Sequence, residues 1–292
     1  MFTIVIVSFH SDTHIKRLIS NIDKKYPIII IENSLNFDLK KSLEDKYDHV
    51  KVIVPEKNIG ISAGYNLGIK ESKTNFVKIT SADINITNKC LQDLEHCIKQ
   101  IKNFALLGPS YDDESVYKNY SIWDSKKLTN SHENNETEKY KIKEVDYLEN
   151  DFIINKKNLE DLGFFDENIF MYYETMDFCK KIRKENKKNY VCQKIKFTHF
   201  GSQSVDQVLL DQYKLNRSWH YNWSKFYYFK KNYNYFKAIR KIYPNIIRAF
   251  KQMIICKIFN RKKEYLLHKF VLLGIISSIF NKPSSYRPFE VK

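Results

Sequence analysis

The chain has 292 residues, 43% of them hydrophobic, with 49 Lys and Arg against 34 Asp and Glu, a net charge of +15. That hydrophobic share builds a sizeable core and excludes global disorder. The charge suggests a nucleic-acid partner, but residues 1–212 hold 31 basic and 32 acidic side chains, net −1, whereas Tyr213–Lys292 holds 18 basic and two acidic ones, net +16.

A near-neutral domain over 1–212 with a basic, aromatic-rich helical extension over 213–292 is therefore expected. Five cysteines (Cys90, Cys97, Cys179, Cys192, Cys256) lie at wide, irregular spacings without a CxxC pair, so reduced thiols in a cytosolic protein are expected. The opening Met-Phe-Thr-Ile-Val-Ile-Val-Ser lacks a basic flank and reads as a strand, not a signal peptide. The longest apolar run, Phe270–Phe280, has 11 residues, against about 20 for a spanning helix. No transmembrane helix is predicted, and the catalytic part is expected to face the cytoplasm.

In chain order, apolar runs rich in β-branched residues occur at Thr3–Val7, Tyr26–Ile31, Val50–Val54 and Phe76–Ile79, and a fifth apolar run at Phe104–Leu107. Helical periodicity fills the intervals at Asp12–Lys25, Asp38–Tyr47, Ile61–Ser72 and Thr87–Lys102. Short continuous apolar strands alternating with helices predict a doubly wound α/β domain, with a mostly parallel sheet covered on both faces. Such sheets bind ligands beyond the carboxyl ends of their strands. Asn130–Lys139 is polar, without periodicity, and reads as an exposed loop. Order returns at Val145–Ile154, Gly163–Glu167, Phe170–Lys184 and the strand-like Lys194–Thr198; after Val205 the chain reads as helical.

Four clusters carry chemistry. Asp83 follows a strand, where a carboxylate either holds a divalent cation beside a diphosphate or caps a turn. Gly60, Gly64 and Gly68 open a helix at four-residue spacing, which suits close backbone approach to a phosphate or to the sheet. Glu174 and Asp177 share a helix face, where they serve as general base or as acids complementing the helix dipole. His199 ends a strand, as a structural histidine or as a second metal ligand beside Asp83.

In this order the clusters resemble family 2 glycosyltransferases of the GT-A fold, close to the bacterial rhamnosyltransferase-like branch that builds surface polysaccharides. Thr3–Ser11 resembles the opening strand that cups the nucleotide base, and Ile30-Ile31-Glu32-Asn33-Ser34 the second strand end. Asn58–Gly68 is similar to Asn-x-Gly-x-x-x-Gly-x-Asn-x-Gly. Gly163–Glu167 with Phe170–Glu174 is similar to Gly-x-Phe-Asp-Glu…Phe-x-Tyr-x-Glu, and His199-Phe200-Gly201 to the terminal histidine motif. The resemblance covers about residues 1–230. It implies donor binding by Ser8, Phe9, Glu32, Asn33, Asn58, Gly60, Gly64, Asn66, Ser81 and Asp83. It also implies Mn²⁺ or Mg²⁺ on Asp83 and His199, and acceptor contacts at Asp166, Glu167 and Tyr173. The family's Asp-x-Asp has Ser81 at its first position here, and Thr175 stands at the usual base position. Glu174 or Asp177 must then take the acceptor's proton, with Glu174 nearer the vacated position.

The resemblance thus implies an inverting, metal-dependent glycosyltransferase. It would move a sugar from a UDP- or dTDP-linked donor to a hydroxyl of a growing, lipid-linked bacterial surface glycan. The basic tail mixes cations with aromatic residues, and Ile242, Ile246, Ile247, Phe250, Ile254 and Ile255 recur near helical spacing. That composition suits a helix in the interface of an anionic membrane, on its inner face; packing on the domain is the other reading. Two further functions stay open: a catalytically silent nucleotide-sugar-binding scaffold, and nucleic-acid binding through the tail, for which no recognised module is present.

Overall fold

The computed structural model describes residues 1–101, 103–112, 118–123, 139–199 and 210–287. All but the last residue of the expected loop at Asn130–Lys139 lies outside these, as do Phe200 and Gly201. The chain packs as two units. One comprises Met1–Ile59, Ala63–Phe165 and Phe178–Ser204; the other comprises Gly60–Ser62, Asp166–Asp177 and Val205–Lys292.

The first unit carries β1 (Thr3–Ser8), β2 (Ile28–Glu32), β3 (Val50–Ile53), β4 (Phe76–Thr80), β5 (Ile84–Asn85), β6 (Leu106–Tyr111), β8 (Ile142–Val145), β10 (Ile153–Asn155) and β11 (Asn189–His199). These form one sheet in the order β3-β2-β1-β4-β10-β6-β11-β5, with β8 on β11; β7 (Tyr120–Ser121) and β9 (Tyr147–Leu148) pair separately. Every residue of β2, Ile-Ile-Ile-Ile-Glu, is buried, as a parallel strand covered on both faces requires. At the edge, β3 exposes Lys51, whose Nζ lies 2.8 Å from Glu71; a charged side chain there discourages pairing with a further strand.

The helices are α1 (Asp12–Ser20), α2 (Phe37–Glu44), α3 (Gly60–Glu71) and α4 (Asn88–Gln100), and local capping fixes the starts of α2 and α4. The Asn36 side chain accepts from Leu39 N at 2.9 Å, and Thr87 Oγ1 from Cys90 N at 3.2 Å, so each satisfies an otherwise orphaned N–H. Ile15, Leu18 and Ile19 of α1, and Leu91, Leu94 and Cys97 of α4, are buried. The close seating of α3 needs glycine. A Cβ at Gly68 would stand 2.3 Å from Val5 Cγ1, and one at Gly64 would stand 2.9 Å from Val7 Cγ2.

The sheet is not parallel throughout. β10 runs antiparallel between β4 and β6, and β11 then runs parallel to β6. A fully buried ion pair pins this insertion. Lys78 of β4 meets Asp151, two residues before β10, and Thr80 Oγ1 donates to the same carboxylate at 2.7 Å. The Lys78 ammonium also sits 4.9 Å from the centre of the Phe197 ring. Burial pulls Lys78 down and the facing Asp151 carboxylate opposes it, for a net depression below the ordinary lysine range.

The second unit is helical: α6 (Leu210–Asn232), α7 (Tyr235–Ile258) and α8 (Lys262–Ile279) pack on one another. Phe226, Ala238, Ile242 and Ile275 form their shared core. Gly274 lets α8 cross α6, since a Cβ there would lie 2.2 Å from the Trp219 carbonyl oxygen. His220 is buried and bridges Ser284 Oγ and Tyr286 O, both at 2.8 Å. Burial first, opposed by the Tyr286 carbonyl and reinforced by Arg287, lowers its pKa to about 3. The neutral ring therefore ties the segment after α8 to α6. Lys231 of α6 bridges Asp166 at 2.6 Å and Asp177 at 2.7 Å. Burial raises Asp166, but Lys231 and Asn168 outweigh it and hold the carboxyl below its usual range. Burial likewise lowers Lys231, yet its two carboxylate partners leave it raised.

Removing one partner of the buried pair leaves the other charge uncompensated, so Asp151→Ala is expected to lose about 3–5 kcal/mol in urea unfolding. The double variant Lys78→Met/Asp151→Asn is expected to recover most of that loss. Because the folded pKa of Asp166 lies below its unfolded value, its contribution is complete above the ordinary carboxylate range and is lost as pH falls through the folded value. Thermal melts from pH 6 downward are expected to show a shallower acid slope for Asp166→Asn than for the parent chain.

Candidate active site

The parallel strands β2, β1 and β4 end side by side, with Ser8 in register with Glu32 and Ile6 with Thr80. Ser8, Glu32 and Asn33 are buried there. Glu32 Oε1 accepts from Ser34 N at 2.8 Å and from the Ser34 hydroxyl. Asn33 Oδ1 accepts from Ile59 N at 3.3 Å, tying the second strand end to the turn that carries the half-buried Asn58. Phe9, also half-buried, meets His10 edge-on at 4.5 Å. Among the described residues, none hydrogen-bonds Ser8 Oγ, Glu32 Oε2 or Ser81 Oγ, although all three atoms are buried. Buried polar atoms are ordinarily paired, so a strand mouth with three such atoms has the chemistry of a polar ligand's cradle.

Asp83 and His199 come together through backbone pairing. β5 runs antiparallel to the end of β11, with His199 opposite Ile84. That register sets Asp83 beside His199, with Oδ1 3.6 Å from Nε2 and both residues nearly buried. Tyr111, ending β6, stacks on the imidazole with ring centres 5.4 Å apart. A first-row divalent ion holds carboxylate oxygen and imidazole nitrogen at about 2.0–2.2 Å. Two such ligands at neighbouring coordination positions stand about 3–3.8 Å apart, so the pair fits one ion. Among the described residues no third His, Cys, Asp or Glu completes a cluster with them.

Sequence reasoning missed two neighbours of this pair. Tyr111 lies beyond the Phe104–Leu107 run, and the rule that strand ends carry function would reach it once β6 is extended by four residues. Glu149 belongs to no motif. Burial pushes its carboxyl above the ordinary range, while the donating Tyr147 hydroxyl and the nearby His199 act the other way.

The remaining expected residues divide by role. Gly64 is filled by Val7 of β1, as described, and the Asn66 amide is spent on Phe165: its Nδ2 donates to the carbonyl at 2.9 Å and its Oδ1 accepts from the amide at 3.0 Å. The structure thus gives both a packing duty. Gly60 has φ +82°, and a Cβ there would stand 2.6 Å from the Phe170 carbonyl oxygen; no L side chain is accommodated.

In the second unit, Tyr172 and Tyr173 both adopt left-handed backbone, at φ 64° and 68°. Two consecutive bulky residues in that region store strain, which gathers at functional sites. They lead into α5 (Glu174–Lys184), whose first residue is the buried Glu174, followed by the buried Thr175. The α5 N-terminus favours a carboxylate there. Asp177 is committed elsewhere, accepting from Asn232 Nδ2 at 2.6 Å as well as from Lys231. Asp166 is engaged by Lys231, by the Tyr227 hydroxyl at 2.9 Å and by Asn168 N at 3.0 Å, while Glu167 is exposed. The Tyr173 hydroxyl reaches that of Tyr221 at 3.5 Å.

No family model matches the chain. The low-salt glycan biosynthesis hexosyltransferase Agl10 of Haloferax volcanii is 27% identical over 218 residues, 70% of this chain and 68% of that protein. The dTDP-rhamnosyl transferase RfbF of Shigella flexneri is 25% identical over 183 residues, 61% of each. The chain thus spans about two thirds of these curated relatives' length. Among solved structures, the mannosyltransferase PcManGT of Pyrobaculum calidifontis, in complex with GDP-Man and Mn²⁺, superposes with a TM-score of 0.56 at 10% identity, over 96% of this chain and 87% of its own. GalNAc-T7, with UDP, GalNAc and Mn²⁺, gives 0.53 at 14% identity, over 79% of this chain and 50% of its own. The sequence and fold likenesses together identify the chain as a GT-A-fold relative of the glycosyltransferases.

Proposed function

We propose that the chain is an inverting, metal-dependent glycosyltransferase. Its donor is a UDP- or dTDP-linked sugar, and its acceptor is a hydroxyl of a growing, lipid-linked surface glycan at the inner face of the cell membrane. The observation that carries this reading is the Asp83–His199 pair at a strand mouth holding buried, unsatisfied polar atoms. The two curated relatives, a glycan-biosynthesis hexosyltransferase and a rhamnosyl transferase, support it, as do neighbours solved with nucleotide ligands and Mn²⁺.

Glu32, Asn33 and Asn58 hold the nucleoside, with Ser8 and Phe9 at the base and Gly60 shaping the turn beside it. Asp83 and His199 hold Mn²⁺ or Mg²⁺, with Ser81 next to them. The ion, when bound, offsets the charge that develops on the leaving diphosphate. Glu174 accepts the acceptor hydroxyl's proton. The freed oxygen bonds to the anomeric carbon from the face opposite the nucleoside diphosphate, whose bond breaks, so the configuration inverts. Thr175 cannot take that proton; Glu174, buried at the N-terminus of α5 directly after the two left-handed tyrosines, is assigned as the base. Asp166 and Tyr173 form the acceptor side, with Glu167 beside them.

The same observation favours one other reading, a silent nucleotide-sugar-binding scaffold, if Glu174 does not act. Donor hydrolysis and sugar transfer, measured separately, distinguish the two. Turnover of a UDP- and dTDP-sugar panel with Mn²⁺ is expected, and Glu174→Gln is expected to lower kcat about 10²–10⁴-fold with donor KM little changed. Asp83→Ala is expected to abolish stimulation by Mn²⁺. Parent-level turnover in Glu174→Gln would overturn the base assignment, and donor binding without either activity would favour the scaffold.

A further inference from the structure

The helix α7 has two apolar faces. Ala238, Ile242, Ala249 and Cys256 are buried, and Ile239 and Ile246 pack beside them against α6 and α8. A second set points outward: Phe236 is 84% exposed, Ile254 62% and Ile258 71%, with Tyr243, Ile247 and Phe250 each near half. At about 100° per residue, these six fall within about 40° of one line along the helix, roughly 140° from the buried face. A soluble helix has one apolar stripe and a polar opposite face; α7 has an apolar stripe where the polar face belongs.

Charge says what covers this stripe. Tyr235–Ile258 contains no acidic residue and six basic ones, of which Arg240, Lys241, Arg248, Lys251 and Lys257 are exposed. Phe259, at the turn into α8, is exposed as well, and a cavity of about 440 Å³ at this end of the helix is lined by Cys256, Lys257, Asn260, Lys262, Tyr265 and Leu266. A second protein would need an all-acidic rim to match these flanks. Phosphate head groups above acyl chains supply both halves of the complement. Among the described residues no helix is long and apolar enough to cross a membrane, so the geometry is that of a helix lying flat in the interface.

We propose that α7 docks the protein on an anionic lipid bilayer, with Tyr243, Ile247, Phe250, Ile254 and Ile258 entering the acyl boundary and the flanking cations meeting lipid phosphates. This deepens the reading above by naming the element that meets the membrane. Its test reads lipid binding and not sugar transfer, so failure of either is seen separately.

The experiment is flotation of the full-length protein with vesicles of phosphatidylcholine, with and without phosphatidylglycerol, across a salt series. Binding that needs phosphatidylglycerol and weakens with salt is expected. Phe250→Asp/Ile254→Asp is expected to lower partitioning by about tenfold or more, with helical content and donor turnover unchanged. Arg248→Gln/Lys251→Gln is expected to lower it about fivefold per charge and to flatten the salt dependence. Failure of the folded parent protein to float, or unchanged flotation of the Asp double variant, would overturn the proposal. So would either of two other occupants: dimerisation in sedimentation velocity that the Asp variant abolishes while flotation persists, or retention on a single-stranded oligonucleotide without flotation.

Discussion

The buried pair of Lys78 and Asp151 is the constraint on which the arrangement of the first unit rests. It lies where the sheet changes direction, between the parallel strands β1 to β4 and the segment formed by β10, β6 and β11. Desolvating two charges is costly, and the pair is tolerated because Thr80 and the Phe197 ring supply further interactions. Its effect is positional. Asp151, at φ 64°, holds the approach to β10; β10 fixes β6, β6 fixes β11, and the end of β11 delivers His199 opposite β5 and beside Asp83. The Asp83–His199 juxtaposition is thus set by backbone register carried across four strands from one ion pair.

Much of this was legible in the sequence. The all-apolar β2, the amphipathic α1 and α4, and the alternation that defines the fold follow from periodicity. The motif order pointed to Asp83 and His199 together, although they stand 116 positions apart. Other parts could not be read because their cause is not local. Lys78 lies within the apolar run of β4, and its burial depends on Asp151, 73 positions on. The antiparallel insertion of β10 has no periodic signature in three residues. In the glycine cluster, spacing alone could not separate phosphate approach from packing; the Val5 and Val7 side chains do so for Gly68 and Gly64.

The basic tail shows the same limit. Ile242, Ile246, Ile247, Phe250, Ile254 and Ile255 form one list in the sequence, but they divide in the fold. Ile242 is in the core of the three-helix unit, whereas Ile247, Phe250 and Ile254 face solvent. Periodicity finds a helix with an apolar stripe; only its packing partners show that there are two stripes and which one is left uncovered. The acids between Asp166 and Asp177 divide likewise: Asp166 and Asp177 are held by Lys231, while Glu174 opens α5 after two left-handed tyrosines. The two acids bound to Lys231 secure the helical unit.

The proposal that Asp83 and His199 jointly hold an ion against the donor's diphosphate is tested by a crystal structure of the protein grown with Mn²⁺ and UDP or dTDP, with manganese located by its anomalous scattering. One manganese is expected at about 2.2 Å from both the Asp83 carboxylate and His199 Nε2, in contact with the diphosphate, with the nucleoside against Glu32 and Asn33. A diphosphate bound without metal at that pair, or manganese held by other residues, would contradict it.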